Sequence, residues 1–182
     1  MDTGSPSAAV PPSSPPTPQP TIPRLFQPEP IWVQAATLQP KDDKRFTEVE
    51  ETCIFQLGFA SGTLGSFSCS FGSHESRRFR ALGDKGGWID MDPAFPYTGL
   101  ELHVSDAQGV KKIDLPQKQQ FALELDHLAH CIREDVEPYT GGPEGLQDVR
   151  IMTAIYEAAR SGRRVELPHV AKLDAFRGPA PQ

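Results

Sequence analysis

The chain has 182 residues, 37% of them hydrophobic and 23% charged, which is enough length for one domain with a real core and some to spare. Its formal net charge of −6 is mixed in sign along the chain, with no basic block beyond Arg77-Arg78 and Arg163-Arg164, so neither nucleic acid nor an anionic membrane surface finds an electrostatic footprint. No apolar run approaches the roughly 20 residues that span a bilayer.

The spare length lies at the N-terminus. Ten of the 19 prolines fall within residues 1–30. A Pro/Ser/Thr tract has too little to bury to offset its ordering entropy, so residues 1–27 are expected to form a disordered or loosely extended arm. The arm has neither a basic n-region nor an apolar h-region, and the expected address is the cytoplasm. Three widely spaced cysteines, Cys53, Cys69 and Cys131, with no C-x-x-C pattern, read as small buried hydrophobes in a reducing compartment.

From Ile31 the pattern becomes structural. "IWVQAATL" is strand-like. In "EVEETCIFQLGF" the alternation of Cys53, Phe55, Leu57 and Phe59 predicts a second strand, and "ASG" turns it into a third, "TLGSFSCSF". "SRRFRALG" and "GWIDMD" form the next hairpin, with Asp84 and Gly86 at its turn. "LELHVSD" and "VKKIDL" form another. The period then lengthens. Phe121, Leu125, Leu128 and Ile132 recur at helical spacing, as do Leu146, Val149, Met152, Tyr156 and Ala159. Pro143 and Glu144 mark the start of the second helix, and Arg160 and Gly162 mark its end. "RRVEL" returns as a strand, stopped by Pro168.

Strands followed by helices predict an α+β fold: a predominantly antiparallel, open sheet of about six or seven strands with two helices on one face. The domain is expected over residues 28–170, with a tail over 171–182. The uncovered sheet face is expected to mediate association, with Leu64, Phe67 and Phe71 on strands that need cover.

Few side chains propose chemistry. "GDKGG" at 83–87 precedes a strand rather than a helix, so it reads as a hairpin turn and not a phosphate cradle. His127 and His130, three apart on a helix, lack an evident third ligand, and Leu128 and Ile132 mark that helix as a core element; no metal site is expected. Asp90 and Asp92 share a strand face and form either an acid/base pair or, preferably, turn chemistry before Pro93. Arg77 and Arg78 alternate in direction, which argues against a joint clamp.

Four stretches in order, "EPIWVQAATLQPKDDKRFTEVEETCIFQLGFASGTLGSFSCSF", "RFRALGDKGGWIDMDPAFPY", "QQFALELDHLAHCIREDVEP" and "EGLQDVRIMTAIYEAARSGRRVEL", resemble the C-terminal domain of the Gfo/Idh/MocA oxidoreductases, and most closely the glucose-fructose oxidoreductase branch. The resemblance implies a sheet that supplies one wall of a sugar pocket and, in many members, the subunit interface. In that branch Tyr97 falls in a loop that leans toward the substrate or the interface, which makes it the one substrate-side candidate.

The family's glycine fingerprint for NADP or NAD, its Glu-Lys-Pro lysine and its helix bearing Asp and His or Tyr have no counterpart in this sequence. No catalytic and no cofactor-binding residue is therefore assigned. The expectation is the substrate-side and oligomerisation domain of an NAD(P)-dependent sugar or polyol oxidoreductase, truncated or split and inactive alone. Its expected partners are further copies of itself, through the open sheet face, and a separate Rossmann-domain polypeptide. The alternatives are a stand-alone binding or scaffolding module that uses the open sheet face, and a complete small enzyme.

Overall fold

A computed structural model describes residues 29–83, 87–116, 118–138 and 141–168. The proposed arm, the turn at Asp84–Gly86 and the proposed tail lie outside the described residues. The chain divides into two compact units. One is formed by the described residues up to Ser73 together with those from Gly141 onward, and the other by those between His74 and Pro138.

The first unit is a four-stranded antiparallel sheet in the order β3-β2-β1-β8, comprising β1 Pro30–Leu38, β2 Thr52–Phe59, β3 Leu64–Ser70 and β8 Val165–Glu166. The alternation read in β2 is the one that sorts its faces: Cys53, Phe55, Leu57 and Phe59 are buried and Ile54 is exposed. Gly62 turns β2 into β3 with φ of 86°, a conformation that costs glycine little. Its N–H donates to Phe59 O at 2.9 Å.

The long helix of this unit, Gly142–Ser161, is the second in chain order and is called α2. It lays Ile151, Ala154, Ile155 and Ala158 on the sheet, against Val33 and the buried row of β2. Those positions follow i, i+3, i+4, i+7, and the two alanines permit close approach of helix to sheet. Pro143 at its start and Gly162 at its end are as predicted; Gly162 has φ of 63° and its N–H donates to Ala158 O at 2.9 Å.

The predicted apolar face of α2 needs rotating. Leu146 and Val149 are exposed, whereas Gln147 is buried and donates from Nε2 to Glu29 at 3.0 Å. Helical spacing alone admits either stripe. The sheet selects the one bearing isoleucine and alanine because the other ends in bulky Met152 and Tyr156. Tyr156, at the rim, donates its hydroxyl to the buried Glu50 at 2.8 Å.

The second unit is a four-stranded antiparallel meander, β4 Phe79–Leu82, β5 Trp88–Met91, β6 Leu102–Asp106 and β7 Gly109–Ile113, in chain order. It also carries α1, Gln120–Glu134. The fold is α+β and antiparallel with two helices, as predicted. The strands nevertheless fall into two sheets rather than one: alternation assigns faces, but it does not say which hairpins become neighbours.

Two further expectations are corrected. Leu128 and Ile132 are not core residues; α1 is amphipathic as read, yet Phe121, Leu125, Leu128 and Ile132 are all exposed, Ile132 by 74%. Phe67 lies on the helix-covered face, stacked on Phe55 with centroids 4.8 Å apart, and Phe71 sits beside Phe46 at 6.5 Å. Leu64 is exposed.

Candidate functional site

Tyr97 sits in the second unit, in the turn-rich loop from β5 to β6. The loop is pinched at its neck: Asp92 N–H donates to Glu101 O at 3.1 Å and Glu101 N–H to Pro93 O at 3.3 Å. The Asp92–Pro93 peptide is cis. The pinch pushes residues 94–100 out as a bulge, and Tyr97 is 67% exposed on it.

The bulge is tied to the first turn of α1. The Tyr97 and Phe121 rings lie 5.1 Å apart, tilted by 50°, and Gln120 Nε2 donates to the Tyr97 carbonyl at 3.5 Å. Two exposed aromatic rings, one carrying a hydroxyl, make an amphipathic platform: the ring faces suit the C–H side of a sugar, and the phenol can bond its hydroxyls. Phe121 was legible only as one member of a helical stripe. Nothing local in the sequence pairs it with Tyr97.

The two aspartates at 90 and 92 are turned to one cation. Arg78 Nε donates to Asp90 Oδ1 at 2.8 Å and lies 4.0 Å from Asp92 Oδ2. The Arg78 hydrogen bond holds the Asp90 carboxyl below its ordinary pKa, against a smaller opposing effect of burial. Acid/base work would need one of the pair poised to hold a proton, so the ion pair favours a structural role. Strand register extends this pair into a polar row across the sheet: Arg80, Asp90, His103 and Lys112 stand opposite one another on successive strands. Arg80 also covers the Trp88 ring at 5.2 Å. The row could be found in the sequence only once the register was known. Arg77 pairs with Glu75 at 2.9 Å, apart from Arg78.

His127 lies beside Cys131, with Nε2 3.6 Å from Sγ. Among the described residues no group of three or more His, Cys, Asp or Glu is placed to hold a metal ion. Gly83 N–H donates to Gly87 O at 2.8 Å, closing the β4–β5 hairpin.

In the first unit, Trp32 lies on the sheet face away from α2. It lies across Gly58, where an added Cβ would collide with the indole, and Arg164 stacks on the same ring at 5.0 Å. Leu38, Ile54 and Leu64 are exposed on the same face.

Residues 23–167 match the family model described as the Gfo/Idh/MocA oxidoreductase family, C-terminal alpha/beta domain. The chain is 29% identical over 145 residues to a D-xylose 1-dehydrogenase [NADP(+)] of Haloarcula marismortui, covering 79% of this chain and 39% of the relative. It is 28% identical over 151 residues to D-xylose 1-dehydrogenase (NADP(+)) 2 of Haloferax volcanii, covering 79% and 44%. Among solved structures, the aldose-aldose oxidoreductase of Caulobacter crescentus, complexed with glycerol, superimposes with a TM-score of 0.71 at 41% identity. That match covers 76% of this chain and 42% of the other. The chain therefore spans less than half the length of the relatives it matches.

Proposed function

This chain belongs to the Gfo/Idh/MocA oxidoreductase family through its C-terminal alpha/beta domain, and from that premise we propose that it is the substrate-side and oligomerisation domain of an NADP- or NAD-dependent oxidoreductase of aldoses or related polyols. The observation that carries this reading is the match at 41% identity to an aldose-aldose oxidoreductase, together with the exposed Tyr97–Phe121 platform. The names of the xylose dehydrogenases support the same substrate class and favour NADP.

In this reading Tyr97 and Phe121 bind and orient the sugar, while hydride transfer and proton abstraction belong to a dinucleotide-binding domain, joined to this one or associated with it. The chain by itself turns over no sugar. Exposed Leu38, Ile54 and Leu64, on the sheet face that also bears Trp32, form the surface on which copies associate. Among the described residues no helix is long and apolar enough to cross a membrane.

The test is reconstitution. The 182-residue chain alone, mixed with xylose or glucose and NADP, should show no turnover, and addition of a dinucleotide-binding domain of the same family should restore it. Tyr97→Ala should then raise KM by about tenfold, the scale of one lost stacking and hydrogen-bonding contact. Turnover by the chain alone would refute the assignment.

A further inference from the structure

Two of the three cysteines, distant in sequence, meet in the first unit. Cys53 on β2 and Cys69 on β3 are direct cross-strand partners. Both point toward α2: Cys53 belongs to the buried core, and Cys69 packs against it while remaining partly accessible. Cys69 Sγ lies 3.7 Å from the Cys53 carbonyl oxygen, to which it can donate.

The ladder fixes what kind of pair they form. Phe59 N–H donates to Thr63 O at 3.1 Å, and Phe71 N–H to Glu51 O at 2.9 Å. Counting in steps of two from either end makes Cys53–Cys69 a hydrogen-bonded pair, with Cα atoms about 5.5 Å apart. That lies inside the roughly 4.4–6.8 Å range a disulfide bridges. Opposed Cβ atoms in such a pair stand about 5 Å apart, wider than the roughly 3.8 Å of a relaxed disulfide. Closure must therefore draw the strands together, which leaves a bond that is easily reduced.

We propose that Cys53 and Cys69 form a reversible oxidation site, a dithiol that closes to a cross-strand disulfide by exchange with a low-molecular-weight disulfide such as oxidised glutathione. The roles of the two sulfurs follow from their surroundings. The neighbouring Cys69 sulfur and burial raise the Cys53 thiol, while the neighbouring Cys53 thiol lowers that of Cys69. Glu50, close by and bonded to Tyr156, works against both thiolates. Cys69, accessible and the more acidic, attacks one sulfur of glutathione disulfide. The S–S bond of the reagent breaks and one glutathione leaves as thiolate, taking a proton from water. Cys53 then loses its proton to solvent and attacks the Cys69 sulfur, expelling the second glutathione. Two protein thiols are oxidised by two electrons, and one glutathione disulfide is reduced to two thiols.

The experiment uses the whole chain in its native buffer. After incubation with oxidised glutathione, remaining thiols are alkylated under denaturant and the digest is read by mass spectrometry. The expected product is a Cys53–Cys69 linked peptide, about 2 Da lighter than the paired thiols, with Cys131 alkylated, and dithiothreitol should reverse it. In Cys69→Ser, Cys53 should remain alkylated and free of glutathione, because the buried thiol cannot begin the exchange. A stable mixed disulfide on Cys69, a link to Cys131, full alkylation of Cys53 and Cys69 after oxidation, or glutathionylation of Cys53 in Cys69→Ser at the wild-type rate would each overturn the proposal.

Discussion

Each unit has four strands and one α-helix among the described residues, yet the two bury very different amounts of side chain. In the first, nine buried residues from β1, β2 and α2 form one contiguous cluster. In the second, Ala94 and Cys131 are the only apolar side chains buried among the described residues, and the apolar stripe of α1 is exposed. A helix can thus be amphipathic by sequence and still lack a core of its own. The first unit carries the stability of the chain. The second carries the exposed Tyr97–Phe121 pair and the exposed stripe of α1.

The contrast can be broken most sharply by truncating an apolar side chain in each unit. Phe55→Ala takes a ring from the centre of the first cluster and should cost about 3–5 kcal/mol, read as a lower urea midpoint at unchanged slope. A loss under 1 kcal/mol would mean that the cluster is not the core. Gly162→Ala should cost about 1–2 kcal/mol, since an alanine there must hold the left-handed conformation that ends α2. Ile132→Ala should change the stability of the isolated chain by no more than about 0.5 kcal/mol, because its side chain is already in water. A penalty as large as that of Phe55→Ala would show the stripe of α1 to be buried in solution.

The smallest effect concerns Asp90. Its pKa is depressed in the fold by Arg78, so the pair contributes stability above the unfolded carboxyl pKa and loses it as pH falls through the folded value. Arg78→Ala should move the Asp90 titration, followed by carboxyl carbon shifts, up toward the ordinary range of about 4. An unmoved midpoint would remove the ion pair from the account.

Local pattern made the elements legible, and the same locality hid their arrangement. Cys53, Phe55, Leu57 and Phe59 announce a half-buried strand because side chains alternate strictly along it. Gly162 announces a helix end because few other residues tolerate its φ. Nothing of that kind says that "EVEETCIFQLGF" pairs with β1 while the next two hairpins form a separate sheet, and that choice depends on long-range contacts. The face of α2 was misread because Leu146, Val149 and Ile151 all suit a helix–sheet contact, and only the opposing β2 row chooses among them. Tyr97 was legible through family resemblance alone. Its partner Phe121, the Arg80–Asp90–His103–Lys112 row and the Cys53–Cys69 pair needed the register.

The central claim is that this domain faces the sugar and leaves the nucleotide to another. Calorimetric titration of NADPH into the purified chain tests it most directly. The account predicts heats of dilution only. Tight, stoichiometric binding would contradict it.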